Sequence, residues 1–438
     1  MVSINEIKEK INLNTAQSNY KEALRLVSDF SVDDRLLLND VIKKLYDNIS
    51  VNIQKYNINN DIEKVKQLYN EVFDLIPKEE VKLRNVILNE YEIATRQIKL
   101  KSFPRLMELF LTSKCNLKCI MCGGEKEEYV ISDKEFEEVL SVFQYLQYLS
   151  IKGGEVFFDK RLKRLLEEAK KTNVKLEVIT NGLLLDEKII NDLVDTQTNL
   201  AISIDSVNKN IYESIRIGAK FEKLISNLEL LNKIRDKKKN KISTTLHMVV
   251  MKRNYKEIED VIKFAHKYNF NHMTIIPIQM NKTKGENFFD YDIDNSVINE
   301  LAEKRDYFFN LAKEHGIFLH SRLPQKNFNH DKRKECNNKI NNGIDSCRHD
   351  KKLINDGIYC FLPFKRLLVD SKVYKPRYIC KDLEYINEDV ENSIIKKWNS
   401  KRMMEYRKNM ILRNQYNICS EDCLKNNFIN SNKNSIII

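Results

Sequence analysis

Three cysteines, Cys115, Cys119 and Cys122, stand within eight residues at the spacing C-x3-C-x2-C. Thiolates are the usual ligands of iron-sulfur clusters, and a loop of this length can fold three of them around one face of a four-iron cubane. Such a cluster keeps one iron without a protein ligand, and that iron can bind the atoms of a small molecule. A structural zinc site is the alternative, but it needs a fourth ligand, and none is adjacent.

The rest of the chain favours metal or redox chemistry over disulfides. There are nine cysteines, an odd number, among 438 residues. The first residues lack the basic stretch and apolar core of a secretory signal, and no run of 18 apolar residues occurs, so we expect no membrane-spanning helix. We therefore expect a cytoplasmic protein, in a compartment whose reducing conditions disfavour structural disulfides.

Charge gives no sign of a nucleic-acid partner. The net charge is +11, but the 74 basic residues are interspersed with 63 acidic ones. The densest basic cluster, Arg235–Lys241, is explained better as the solvated end of a helix. We expect the chain to bind neither nucleic acid nor membrane.

A second group of cysteines lies toward the C-terminus. Its members are Cys360, Cys380, Cys419 and Cys423, with Cys336 and Cys347 just upstream. Four thiolates can ligate one iron-sulfur cluster completely, and the same ligand set suits structural zinc. Three interpretations remain for the two upstream cysteines. They are ordinary thiols without a function, or ligands of a further cluster, or one of them is a thiol that donates hydrogen.

The elements that must position the three-cysteine loop alternate between strands and helices from about residue 105. Six apolar runs predict strands at Met107–Leu111, Tyr148–Ile151, Leu176–Ile179, Leu200–Ile204, Thr244–Met251 and His272–Ile278. Amphipathic stretches predict helices near 133–146, 160–172, 186–195, 220–236 and 255–268. Strand-helix units with right-handed crossovers can curl into most of a barrel, whose site lies on the loops after the strands.

The two flanking regions differ from this pattern. Residues 1–100 predict helices and no strand, and we interpret them as a helical accessory domain. Beyond Gly316 the periodicity decays, and hairpin-like strands at 367–369 and 373–374 precede a helix near 394–410. The predicted domains are therefore 1–100, 105–318 and 336–425.

The segment Leu111–Cys122 resembles the cluster motif of the radical S-adenosylmethionine (radical SAM) superfamily. The resemblance covers about residues 105–425 and implies a partial (β/α)6 TIM-like barrel. It also implies a [4Fe-4S] cluster on Cys115, Cys119 and Cys122, whose open iron chelates the methionine end of S-adenosylmethionine. In that family an electron enters the sulfonium, and the resulting 5′-deoxyadenosyl radical takes hydrogen from a substrate.

The segment Gly153–Glu155 after the second predicted strand resembles the Gly-Gly-Glu motif of the family. There the backbone, contributed here by Gly153 and Gly154, and the carboxylate, here Glu155, hold the methionine ammonium. Val156 stands where the family often has Pro, a departure that leaves this contact intact. The alternative is an ordinary turn.

Four further polar residues resemble cofactor-facing positions of the family. Asn181 follows the third strand, and Ser203 and Asp205 lie at the fourth, where the family faces the ribose and methionine ends of the cofactor. Each of the three side chains can equally cap the following helix. Arg216 matches a family Arg that approaches the cofactor carboxylate or the substrate, and a surface Arg is the alternative.

The C-terminal cysteines resemble the auxiliary-cluster extensions called SPASM and, in the shorter form, twitch. The longer form usually has seven cysteines, so the set Cys360, Cys380, Cys419 and Cys423 matches the shorter form better. The resemblance implies an auxiliary [4Fe-4S] cluster, with structural zinc as the competing interpretation.

The resemblance implies an enzyme that abstracts hydrogen from an organic substrate, with a peptide or protein side chain as the first expectation. An external electron donor such as flavodoxin or ferredoxin would supply the electron. One alternative is a radical dehydrogenase acting on a sugar alcohol or a cofactor precursor. Another, of a different class, is an electron-carrying or binding protein whose cluster performs no radical turnover and releases no 5′-deoxyadenosine.

Overall fold

A computed structural model describes residues 3–30, 35–122, 128–238, 242–278, 286, 295–324, 365–369, 393, 396 and 398–411. The chain divides into two compact units. Unit 1 contains residues 1–107, 133–148 and 348–438, and unit 2 contains residues 108–132 and 149–347. The six cysteines from Cys336 to Cys423 and the strand predicted at 373–374 lie outside the described residues.

Ten strands are described: β1 Leu106–Phe110, β2 Lys118–Cys119, β3 Tyr148–Lys152, β4 Lys175–Thr180, β5 Thr198–Ser203, β6 Arg216–Ile217, β7 Ser243–Val250, β8 His272–Pro277, β9 Phe318–Ser321 and β10 Arg366–Val369. Seven of them follow chain order in one sheet, as β1-β3-β4-β5-β7-β8-β9. The four pairings from β4 to β9 are parallel. In the part of the chain that the structure describes, β9 does not pair with β1, so the sheet is an open, partial barrel.

Thirteen α-helices are described: α1 Ile4–Ala16, α2 Tyr20–Ser28, α3 Asn39–Ile58, α4 Ile62–Val72, α5 Val81–Ala94, α6 Asp133–Val142, α7 Leu162–Thr172, α8 Glu187–Val194, α9 Lys209–Ile215, α10 Phe221–Lys238, α11 Ile258–Lys267, α12 Asn295–Glu314 and α13 Lys401–Ile411. Local chemistry fixes several of their ends. The Asp186 side chain accepts from the Ile189 amide at the start of α8, and Asn173 ends α7 in the left-handed conformation.

All six strands predicted between residues 107 and 278 are confirmed, with ends that differ by at most two residues. The structure adds a seventh strand, β9, and the helix α12 before it. The β9 strand has only four residues, and its Phe318 and His320 are both exposed. Because the apolar residues Phe318 and Leu319 are adjacent, apolar and polar residues do not alternate along this segment, and its sequence does not predict a strand.

The helical region of unit 1 packs its apolar stripes into one core. Ile49 and Ile53 of α3, Val65 of α4 and Ile87 of α5 are all completely buried within that core. Residues 3–30 and 35–100, which the structure describes, contain no strand, as the sequence predicts. The helix predicted near 394–410 is found as α13, and the strand predicted at 367–369 is found as β10.

A fully buried ion cluster lies inside unit 1. The Glu90 carboxylate pairs with the Arg105 guanidinium and, at 2.6 Å, with the Lys365 ammonium, and none of the three side chains is exposed. Burial alone would raise the pKa of Glu90, but the two cations lower it below its ordinary value. Asn57 donates to the second carboxylate oxygen at 2.7 Å, and Gln54 accepts from Arg105 at 2.6 Å. The cluster is therefore hydrogen-bonded on several sides, which a buried charge requires.

We predict that Glu90→Gln destabilises unit 1 by about 3–5 kcal/mol, because it leaves two buried cations without a carboxylate. Urea unfolding followed by circular dichroism measures the change. The matched control is Glu63→Gln, which removes the carboxylate of the solvent-exposed pair Lys66–Glu63 and should cost less than about 1 kcal/mol. Equal stabilities of the two variants would contradict this assignment.

Candidate functional site

The three-cysteine loop begins where β1 ends, at the edge of the sheet that collects the carboxyl ends of the parallel strands. Its first residues are fixed by a bridge between Thr112 and Val130 and by the Ser113 amide, which donates to the Tyr129 carbonyl at 2.8 Å. Cys115 and Cys122 are exposed, and Cys119 is half-buried. All three are free thiols, so the loop presents sulfur ligands toward the open edge.

Gly153 and Gly154 allow the end of β3 to touch the start of this loop. The Gly154 amide donates to the Thr112 carbonyl at 2.7 Å. A Cβ on Gly153 would lie 2.2 Å from the Thr112 carbonyl oxygen, and one on Gly154 would lie 2.4 Å from the carbonyl oxygens of Ser113 and Lys114. Since these oxygens belong to the backbone, any larger residue must displace the cysteine loop. The two glycines therefore act first as spacers between strand and loop.

Glu155 turns its carboxylate into the protein. The side chain is completely buried, and it accepts from the Thr180 hydroxyl and from the Asn181 amide, each at 2.8 Å. Burial raises the pKa of Glu155, while the hydrogen bonds from Asn181 and Thr180 oppose the shift. The Glu155 amide donates to the Lys114 carbonyl at 2.7 Å. Glu155 thus joins the ends of β3 and β4 to the cysteine loop.

Asn181, directly after β4, extends this connection to the cysteines. Its side-chain amide donates to the Asn116 side chain at 2.8 Å and lies 3.9 Å from the Cys115 sulfur. Its side-chain oxygen accepts from the Leu183 amide at 3.0 Å. Asn116 was not among the residues singled out from the sequence, although it lies between two of the cysteines.

Arg216 faces the middle cysteine through a short antiparallel pairing. Strands β2 and β6 pair Cys119 with Arg216, and the Arg216 guanidinium lies 3.9 Å from the Cys119 sulfur. The same guanidinium forms a 2.8 Å ion pair with the buried carboxylate of Asp205. Arg216 is buried, which excludes the surface alternative, and its Nε has no hydrogen-bond partner among the described residues.

Asp205 is anchored by the backbone of the next strand. Its second carboxylate oxygen accepts from the Val249 amide at 2.8 Å. Burial raises the pKa of Asp205, and Arg216 is the main opposing influence. Ser203 lies at the end of β5, partly exposed, opposite His247. In the described part of the chain it is the one predicted cofactor residue with no side-chain contact to the others.

The thiols of Cys115 and Cys119 are in their protonated form when no metal is bound. Burial raises the pKa of the Cys119 thiol to about 11, against the opposing effect of Arg216, and burial also raises the pKa of Cys115. Binding of a metal cluster must therefore release protons from these thiols. Within the described residues, no three His, Cys, Asp or Glu side chains are arranged to hold a single metal ion.

An open barrel of parallel strands with a three-cysteine loop after its first strand defines an iron-sulfur protein of the (β/α) class. Residues 109–265 match the family model of the radical SAM superfamily. The match lies where the motifs of the chain predict it.

Two curated relatives and one solved structure illustrate the similarity. The chain is 25% identical over 215 residues to a "Probable GTP 3',8-cyclase" of Methanocaldococcus jannaschii, covering 46% of this chain and 67% of that protein. It is 27% identical over 178 residues to the AdoMet-dependent heme synthase of Methanosarcina barkeri, covering 38% of this chain and 49% of that protein. The chain thus spans from about half to two thirds of these relatives.

The structure of Streptococcus suis SuiB bound to precursor peptide SuiA superposes with a TM-score of 0.51 and 14% identity, covering 74% of this chain and 70% of that one. At this identity the similarity concerns the fold. No helix in the described ranges is long and apolar enough to cross a membrane.

The match of residues 109–265 to this family implies a [4Fe-4S] cluster and S-adenosylmethionine, and the residues at this edge fit both. Three free thiols face the open edge, and the guanidinium of Arg216 stands beside one of them. The buried Nε of Arg216 lacks a partner among the described residues, as expected where a bound group completes the site.

We predict that Gly154→Ala lowers the iron content of the reconstituted protein by as much as replacing Cys115, Cys119 and Cys122 together. The added methyl group forces the cysteine loop away from β3 and separates the three thiols. Iron is counted after anaerobic reconstitution, with circular dichroism to confirm folding.

The control for this prediction is Gly316→Asn, at a glycine with φ of 70° and no atom within 4 Å of an added Cβ. Asn tolerates this left-handed conformation, so the iron content should not change. A folded Gly154→Ala variant with a normal iron content would show that the close approach is not needed to form the cluster.

Proposed function

We propose that this protein is a radical SAM enzyme that abstracts hydrogen from a peptide or protein side chain. The observation that carries the proposal is the loop of three free thiols, held at the carboxyl edge of the sheet by the Gly153–Gly154 contact. The cluster, when bound, supplies the electron that cleaves S-adenosylmethionine to a 5′-deoxyadenosyl radical. An external donor such as flavodoxin or ferredoxin would reduce it.

The residues of the chain have distinct roles in this proposal. Cys115, Cys119 and Cys122 would hold the cluster, and the backbone of Gly153 and Gly154 holds the start of the cysteine loop against the end of β3. Because the Glu155 carboxylate is already engaged by Thr180 and Asn181, we assign Glu155 to holding this edge together. This differs from the direct ammonium contact that the family resemblance implies for Glu155.

Arg216 and Asp205 serve as a buried charged pair beside the cluster. The guanidinium lies 3.9 Å from the Cys119 sulfur, and its Nε, which has no partner among the described residues, can donate to a bound carboxylate or thiolate. Asn181 borders the remaining space and is assigned to the ribose and methionine ends of the cofactor, whereas Ser203, which has no side-chain contact with the other predicted cofactor residues in the described part of the chain, is assigned to the substrate side.

The peptide assignment is supported by the similar fold of SuiB, whose structure holds a precursor peptide. A small-molecule substrate is the alternative, and the names of the curated relatives favour it. We assign residues 1–100, which lie outside the matched domain, to partner or substrate recognition.

We predict that replacing Cys115, Cys119 and Cys122 together by Ala abolishes the formation of 5′-deoxyadenosine, because a cluster with one open iron needs all three thiolates. The product is measured by liquid chromatography after anaerobic incubation with S-adenosylmethionine and dithionite. Circular dichroism verifies that the variant is folded. Undiminished product from the folded variant would disprove radical initiation at this loop.

We also predict that Cys360, Cys380, Cys419 and Cys423 ligate an auxiliary [4Fe-4S] cluster. Reconstituted protein should hold about eight iron atoms, and replacing these four residues by Ala should remove about half of them. Formation of 5′-deoxyadenosine should persist, since four thiolates leave no iron open for S-adenosylmethionine. One zinc ion in place of this iron would identify a structural zinc site instead.

A further inference from the structure

The sheet of unit 2 has two unlike faces. Alternate residues on β7 and β8, such as Leu246, Met248 and Ile275, are buried to 1% exposure or less on one face. On the other face, His247 and Thr274 are partly exposed. Since successive side chains of a strand point to opposite faces, the second face is accessible at these two positions in the part of the chain that the structure describes, and we call this accessible part the open face.

Four polar side chains form a continuous line across this open face. The strand register aligns Ser203 with His247, His247 with Thr274, and Thr274 with His320. We call Ser203, His247, Thr274 and His320 the polar row. They come from four neighbouring strands, β5, β7, β8 and β9. The inward positions of a closed barrel are usually filled by branched apolar residues. Packing alone therefore does not explain a row of polar side chains at these positions.

The polar row lies next to the place where β7 contacts the cysteine loop, on the side nearer the N-terminal ends of the strands. Val249, two residues beyond His247 on the same face of β7, packs in one apolar cluster with Ile120 and Met121 of the loop. Two residues along a strand span about 7 Å, so along β7 His247 lies about 7 Å before this contact with the cysteine loop. A molecule bound on the row would therefore reach toward the cysteines.

The polar row is uncharged and able both to donate and to accept hydrogen bonds. Partial desolvation lowers the pKa of His247 and, together with the neighbouring Arg322, the pKa of His320 below the ordinary value, so both imidazoles are neutral at pH 7. A neutral imidazole has one N–H donor and one acceptor nitrogen, and each hydroxyl can act in both ways. Among the described residues, none of the four side chains has a hydrogen-bond partner.

We propose that the polar row binds the backbone amides of a peptide substrate, and this rests on the proposed function. An amide group carries one donor and one acceptor and no charge, which matches the row. A nucleoside triphosphate instead needs several cations to bind its phosphates, and the row provides none. The proposal therefore predicts discrimination between these two classes of ligand.

The test measures the dissociation constants of two probes for the cluster-loaded protein under anaerobic conditions. One probe is a set of N-acetylated, C-amidated pentapeptides that differ at the central residue, and the other is GTP. We expect at least one peptide to bind more tightly than GTP. The double variant His247→Leu/His320→Leu should weaken peptide binding roughly tenfold, as for the loss of two hydrogen bonds.

The matched control is His315→Leu. His315 packs against His266, away from the open face, so this variant should bind peptide as the wild type does. Tighter binding of GTP, failure of both probes to bind, or unchanged peptide binding by the folded double variant would each overturn the proposal. Formation of 5′-deoxyadenosine by the wild type is measured separately, so failure of radical initiation is distinguishable from failure of the polar row.

Discussion

The contact on which the site depends is the close approach of two backbones, at Gly153–Gly154 and at Thr112–Lys114. Carbonyl oxygens of the cysteine loop occupy the space that a Cβ would need at either glycine. This contact holds the start of the loop that carries the three thiols against a rigid parallel sheet. Iron-sulfur clusters require their ligands in a fixed arrangement, and here the sheet edge supplies that rigidity.

Two buried carboxylates complete the arrangement from within the protein. Glu155 joins the ends of β3 and β4, and Asp205 joins Arg216 to the backbone of β7. Each is kept from water, and each offsets the cost of its burial with hydrogen bonds or an ion pair. Replacing either residue would therefore disturb the geometry around the cysteines even if neither touches a ligand.

Much of this architecture follows from the sequence, because the signals are local. The cysteine spacing and the two glycines lie in short segments, and the six strands have clear apolar runs. Other features depend on partners distant in the chain. The pairing of Arg216 with Cys119 joins residues 97 positions apart, and the polar row exists only through the register of four strands. In the short strand β9, apolar and polar residues do not alternate. Its strand conformation therefore depends on its pairing with β8.

Unit 1 combines segments that are distant in the chain, and this affects the order in which the chain folds during synthesis. The Trp398 indole donates to the Ser102 carbonyl at 2.8 Å across 296 positions, and the buried carboxylate of Glu90 needs the ammonium of Lys365. A ribosome adds about 5–20 residues per second, so the first helices wait on the order of tens of seconds for these partners. Strands β1 to β9 emerge completely in that interval. Unit 2 can thus acquire its fold while the older part of the chain is still unfinished.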